Sequence, residues 1–214
     1  MIIRASDLVK KSCMAMKYHR DHNLPVVVTE GMKIGEAFQK EVTPEGPGIY
    51  IEMQGIYDMG KGIEIRFSND YVALEENIPY ICEIKSVRDE SPDWYKASCI
   101  IGAAFYKALI MGSAKNGLTH LETAPFEYEV NGNITYTIEV PSDIDYILQF
   151  GYKQYKIELI DHKAILAFFE DKAIQSLDWT TAKQWDAVYN KNMWAVLKGF
   201  IQVTACNPHL TLTY

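Results

Sequence analysis

Pro79-Tyr-Ile-Cys-Glu-Ile-Lys-Ser-Val87 is a short apolar segment that carries a carboxylate and an ammonium two residues apart. Side chains alternate faces along a strand, so Glu83 and Lys85 point one way and Cys82, Ile84 and Ser86 the other. Charges on an otherwise apolar strand are costly to bury unless they are paired or used. Asp70 lies upstream on what reads as the preceding strand, with twelve residues between it and Glu83. An Asp followed on the next strand by a Glu and a Lys can hold a divalent cation and polarise a water. Asp70, Glu83 and the backbone carbonyl of Ile84 supply hard oxygen ligands for Mg²⁺ or Mn²⁺. Lys85 then either activates that water or stabilises charge that builds on a phosphate.

The elements that must position these groups follow from periodicity. Ser6-Asp7 starts a helix with Leu8, Val9, Cys13 and Met16 on one face through about Arg20. Thr29-Glu30 opens a second helix through about Val42, whose buried face is expected to hold Met32, Gly35, Phe38 and Val42. The turn cluster Thr43–Gly48 then switches the pattern to period two. Ile49–Ile56, Ile63–Leu74 with a bend near Ser68-Asn69, and Pro79–Val87 read as a meander of antiparallel neighbours. A long helix is expected from about Asp93 to Met111, with Ala97, Ile101, Ala104, Ala108 and Met111 against the sheet. Strand-like runs follow around an Asn131-Gly132 hairpin signal and over Tyr146–Ile160. Asp161 and Thr180 cap two further helices, the second reaching about Gly199, and the tail from Asn207 reads as extended or loose. The plan is mixed α/β (α+β), a central mixed sheet flanked by helices, over one domain of residues 1–214. Its core is expected at about 6–112 and its elaboration, a β-rich insert and two helices, at about 118–200.

The 214 residues include 48% hydrophobic and 23% charged side chains, enough for a sizeable core. A net charge of −7 argues against a generally basic nucleic-acid-binding surface and leaves room for a local basic channel. Lys10, Lys11, Lys17 and Arg20 on the first helix are candidates for such a channel, with a solvated helix face as the plain alternative. Cys13, Cys82, Cys99 and Cys206 form no CxxC pair, which disfavours structural zinc or an iron–sulfur cluster. With neither a secretory leader nor a bilayer-length apolar run in sight, a cytoplasmic, reducing location and no membrane association are expected.

The stretch Ser68–Ser86, with Asp70 and Glu83-Ile-Lys85-Ser86, resembles the PD-(D/E)XK nuclease superfamily, and within it the RecB-type exonuclease branch. That branch places a G-x-x-x-H helix upstream, which Gly35-Glu-Ala-Phe-Gln39 matches in spacing with Gln39 in place of His. It also places a helix downstream, where Tyr106 matches a Tyr and Lys96 or Ser98 stands near its usual Gln. The resemblance covers roughly Asp7 to Met111 and lacks the iron–sulfur cysteines of some members. It implies a restriction-endonuclease-like core and a DNA nuclease, exonuclease-like, serving recombination, repair, or phage and mobile-element replication. It also implies catalytic roles for Asp70, Glu83, Lys85 and Gln39, with Gln39 or Glu36 as a further metal ligand. Single- or double-stranded DNA is the implied partner, beside a second copy of the chain or a recombination protein. Lys96 and Tyr106 join the candidate DNA contacts. The departures at Gln39 and in the downstream helix support a second reading, a catalytically weak or inactive nuclease fold that binds nucleic acid or a protein.

Several residues compete for these roles. Asp58 also follows a glycine by three positions, but a full hairpin separates it from Glu83, so a turn acid is the favoured reading. His19 and His22 fit a polar helix end, and His120, His162 and His209 are isolated. Trp94, Trp179, Trp185 and Trp194 can stack on bases, although packing suits the last three better.

Overall fold

The computed structural model describes residues 1–9, 25, 28–86, 91, 93–123, 137–177 and 193–206. Its strands are β1 (Ile2–Arg4), β2 (Ile49–Gly60), β3 (Ile63–Ala73), β4 (Tyr80–Lys85), β5 (Leu118–Thr123), β6 (Thr137–Pro141), β7 (Asp145–Phe150), β8 (Lys153–Leu159) and β9 (Ile201–Ala205). Its helices are α1 (Ala5–Val9), α2 (Glu30–Val42), α3 (Asp93–Ser113), α4 (His162–Ser176) and α5 (Met193–Leu197). The strands form one mixed sheet in the order β6-β5-β2-β3-β4-β7-β8-β9, with β1 added parallel to β3. The chain is therefore mixed α/β, a central mixed sheet with helices on both faces.

The expected meander is present. β2 and β3 are antiparallel and join at Lys61-Gly62, both with positive φ. Asp58 is the turn acid there, accepting from the Gly60 amide at 2.7 Å. Midway along this hairpin the ladder pairs Ile51 with Tyr71 and Met53 with Asn69, while Glu52 sits at φ 50°. A non-glycine residue in the left-handed region re-aims the strand around it. Phe67 and Val72 accordingly both face the main core, while Tyr71 and Ala73 face a second one. Phe67 lies across Gly55, its register partner, where a Cβ would stand 2.2 Å from the ring. Only glycine fits that approach.

The main core lies between the sheet and α1, α3, α4 and α5. α3 buries Ile101, Ala104 and Ala108 as its spacing predicts, with Ala97 and Met111 half-buried. The Phe105 and Phe169 rings stack 3.8 Å apart between α3 and α4. The second core is small: Tyr71, Ala73, Cys82 and Ile84, covered by Phe38 and Val42 of α2. α2 starts at the Thr29 N-cap, whose side chain accepts from Met32. It buries no residue fully, and Met32 is 44% exposed, contrary to the deeper seat its pattern suggests. An amphipathic stripe fixes which side faces the protein, and the neighbours decide how much of it is covered.

Strands 118–160 are not stacked beside the meander but continue its sheet. β5 pairs β2, and β7 pairs β4 in parallel before returning through Gly151-Tyr152 into β8. Asp161 caps α4 as expected, accepting from Ala164 at 3.0 Å. Ile201–Ala205 pairs with β8 as an edge strand that periodicity does not reveal. Lys10, Lys11, Lys17, Arg20, Cys13, His19, His22, Trp179, Trp185, His209, the Asn131-Gly132 turn, the helix start at Thr180 and the tail lie outside the described residues. Cys82, Cys99 and Cys206 are not in disulfides among the described residues. No helix among the described residues is long and apolar enough to cross a membrane.

Two buried lysines tie the layers. Lys107 donates to the Ile157 carbonyl at 3.0 Å, joining α3 to β8. Lys172 donates to the Leu8 carbonyl at 2.5 Å, joining α4 to α1. Burial pushes the Lys172 ammonium down from 10.5 to about 8. The folded state then binds fewer protons than the unfolded chain between these values, so stability rises with pH across that window and is lowest below it. Urea titrations from pH 7.5 to 10 are expected to show a gain approaching about 3 kcal/mol. In Lys172→Met that gain is expected to be absent.

Candidate active site

β1 and β4 lie on the same side of β3 and occupy different parts of it. β1 pairs with Glu64–Arg66, and β4 pairs with Tyr71–Ala73. Between them β3 runs through Phe67, Ser68, Asn69 and Asp70, and here the sheet forks. β4 leaves β3 after Cys82 and continues beside β7 to Lys85. At the fork the Ile84 amide finds the Asp70 carboxylate, which accepts through Oδ2. A side chain thus stands in for the backbone acceptor that the departing strand has lost.

The other Asp70 oxygen, Oδ1, accepts from the Gln39 side-chain amide of α2 at 3.1 Å. A carboxylate only accepts, so Gln39 must turn its NH₂ toward Asp70. Gln39 therefore meets Asp70 as a hydrogen-bond donor. Next to Asp70, Asn69 is buried and accepts from the Tyr146 hydroxyl at 2.7 Å. Asp70 is thus held by Ile84 and Gln39, and its neighbour Asn69 by Tyr146.

Glu83 and Lys85 share a face of β4, while Cys82 and Ile84 belong to the second core opposite. That face meets α1 and α3, where Val9 of α1 and Tyr95, Cys99, Gly102 and Tyr106 of α3 enclose the pair. Lys85 donates to Glu83 Oε1 and, at 3.0 Å, to the Ile84 carbonyl. The side chains of Lys85 and Glu83 are only 15% and 10% exposed. Burial alone would lower the Lys85 pKa, but the Glu83 and Asp70 carboxylates and the Glu83 hydrogen bond override it and hold it above its ordinary value. Lys85 is a fixed cation at neutral pH. Burial, with Glu83 and Asp70 nearby, likewise raises the Tyr106 phenol and keeps it protonated.

The second Glu83 oxygen, Oε2, is buried and has no hydrogen-bond partner among the described residues. An orphaned carboxylate oxygen in a closed site is expensive. Two carboxylates and a carbonyl make a donor set of hard oxygens, the kind that Mg²⁺ or Mn²⁺ takes together with waters and substrate phosphates. Among the described residues no cluster of three or more His, Cys, Asp or Glu is placed to hold a metal, so the protein's own share of such a site is small.

The remaining candidates fall elsewhere. Glu36 is exposed and pairs with Lys40 at 3.5 Å, one turn along α2. Lys96 lies 3.9 Å from Asp93 at the start of α3. His120 sits 3.6 Å from Glu139 on the β5–β6 pair, and Trp94 is 72% exposed. Position 102, one turn before Tyr106, is glycine, and its Cβ would stand 3.3 Å from Val9. Arg4 and Arg66, on the adjoining strands β1 and β3, have no signal in the linear sequence because their proximity depends on a pairing some sixty residues apart.

No protein-family model matches the chain, and no curated protein matches it. Among solved structures the chain is similar to the crystal structure of SSO0001, at 16% identity and a TM-score of 0.45, over 92% of this chain and 85% of that one.

The Glu83–Lys85 pair is expected to add little net stability, because desolvating both charges costs about what their attraction returns. Glu83→Gln leaves the Lys85 ammonium buried without its closest countercharge and is expected to cost about 3 kcal/mol or more in urea unfolding. Glu83→Leu combined with Lys85→Met is expected to recover most of that loss. A double variant no more stable than the single one would show the pair to be a net stabiliser.

Proposed function

We propose that this chain is a divalent-metal-dependent phosphodiesterase acting on DNA, built on a restriction-endonuclease-like core and exonuclease-like in its cutting. The observation that carries this reading is the buried, unpartnered Oε2 of Glu83 beside a fixed Lys85 cation and the braced Asp70 carboxylate. The likeness of Ser68–Ser86 to the RecB-type motif adds the substrate class and a setting in recombination, repair, or phage and mobile-element replication.

In this reading a bound Mg²⁺ or Mn²⁺ lowers the pKa of a water and offsets charge on the scissile phosphate. Asp70 and Glu83 would hold such a cation, with the Ile84 carbonyl as the backbone ligand. Gln39 keeps the Asp70 carboxylate in one rotamer by donating to Oδ1. Lys85 stays protonated, so it does not take a proton from the water. It orients the water and stabilises the negative charge that builds on the phosphate oxygens. Tyr106 supplies a neutral O–H beside the pair. The packing of Val9 and α3 over Glu83 limits bulk water, which strengthens each of these interactions.

A second reading is favoured by one contact. Gln39 spends its NH₂ on Asp70 where the resembling family has a metal-binding imidazole. On this view the fold binds DNA or a protein partner and cuts weakly or not at all.

Labelled single- and double-stranded DNA incubated with Mn²⁺ or Mg²⁺ separates the two. Wild type is expected to cleave, and Asp70→Asn, Glu83→Gln and Lys85→Ala are expected to lose about 10²-fold or more in rate. Saturating Mn²⁺ is also expected to raise the melting temperature of the wild type, about 2.7 kcal/mol at a hundred times Kd, and to leave Glu83→Gln unmoved. Cleavage by Glu83→Gln equal to wild type sinks the enzyme reading. DNA binding without cleavage or Mn²⁺ stabilisation selects the second.

A further inference from the structure

A cavity of about 400 Å³ shares Tyr106 with the enclosure around Glu83 and Lys85. Its walls include Arg4, Ser6, Gln54, Arg66, Ser68 and Tyr106. The volume is that of an ordinary small-ligand site. The register explains its chemistry. Arg4 of β1 is the Cα partner of Arg66 of β3, and Gln54 of β2 is the partner of Ser68. Arg66 and Ser68 are two apart on β3 and share a face, so all four polar side chains stand together on one surface. Asp70 lies two residues further along β3, where the facing of the strand changes.

Two guanidinium groups on directly paired residues repel one another. Their compensation within the chain is slight. The nearest carboxylate, Glu64, is 3.9 Å from Arg66, with both side chains about half exposed, and no ion pair of Arg4 is present among the described residues. Such a pair is a cost to the fold that a bound anion removes. Guanidinium forks bind phosphate oxygens in bidentate fashion, and Gln54, Ser6, Ser68 and the protonated Tyr106 add neutral donors. Arg66 lies four residues from Asp70, or about 13 Å along an extended strand.

We infer that the Arg4–Arg66 cavity holds a backbone phosphate of the nucleic-acid strand a few nucleotides from the one that reacts at Asp70 and Glu83. Tyr106 is the wall shared by the two positions. The assignment rests on the phosphodiesterase reading for the identity of its ligand. The cavity thereby sets the path of the strand, along the exposed row Arg66–Ser68 of β3 toward the fork.

The test is binding without chemistry. Fluorescence anisotropy of a labelled single-stranded oligodeoxynucleotide in EDTA is measured for the wild type and for Arg4→Gln/Arg66→Gln. The double variant is expected to bind at least about tenfold more weakly at low salt, and its log–log salt slope is expected to fall by about 0.7, the share of one phosphate contact on a single strand. Glu64→Gln, which removes the competing carboxylate, is expected to tighten binding. Lys163→Ala/Lys198→Ala, an equal change of net charge on exposed residues of other elements, is expected to leave it as in the wild type. Inorganic phosphate as the probe gives the other arm. Phosphate binding without oligonucleotide binding would overturn the strand assignment in favour of a free-anion site. Equal losses in the two double variants, or an unchanged salt slope in Arg4→Gln/Arg66→Gln, would also overturn it. Because EDTA abolishes metal-dependent cleavage, an inactive wild type that still loses binding in the arginine variant refutes the enzyme and keeps the cavity. Active wild type with unaltered binding does the reverse.

Discussion

The hydrogen bond from the Ile84 amide to the Asp70 carboxylate is what lets this sheet fork. A strand that leaves its neighbour exposes backbone donors and acceptors, and inside a protein each must be answered. Here the answer comes from a side chain at the point of departure. The consequence is twofold. β4 can turn from β3 to β7 without stranding its amide, and the acid that caps it is fixed at the sheet edge. Gln39 holds the second oxygen of that acid, and the Asn69–Tyr146 bond fixes the residue beside it.

The same fork explains why charge is tolerated in so apolar a place. Lys85 and Glu83 face α3 at the end of β4, against Val9, Cys99 and Tyr106 of the main core and opposite the second core. Their mutual hydrogen bond uses one oxygen of Glu83 and leaves the other without a partner among the described residues. A fold selected only for stability would replace this pair with apolar side chains at little cost. Retaining a half-satisfied carboxylate in a closed site is the pattern expected where a ligand completes the set.

How much of this could be read in the linear sequence depended on range. The facing of Glu83 and Lys85 follows from a two-residue period and needs no partner. Placing Asp70 near Glu83 rather than Asp58 needs only the short turn between β3 and β4. Thr29 and Asp161 are caps whose chemistry is local. Other features are set by distant pairings. The parallel contacts of β1 with β3 and of β4 with β7 join segments some sixty residues apart, and β1 is too short for any period to register. The cavity between Arg4 and Arg66 arises from the first of these pairings and so left no local trace. The shallow seat of α2 was hidden for another reason: its stripe marks a direction and not a depth.

Net charge and local charge pull in different directions in this molecule. A chain of −7 repels a polyanion at long range, and salt shortens that repulsion to about a Debye length. Close to the sheet the relevant field is that of a few groups. The Arg pair stands on β1 and β3, the acids sit at the fork, and Lys85 lies behind them. On the proposed phosphodiesterase reading, a phosphate strand passing from the Arg pair toward Asp70 would move from an attractive to a repulsive site unless a cation screened the two carboxylates. Ordering the strand and loading the cation would then be coupled in sign, each making the other more favourable.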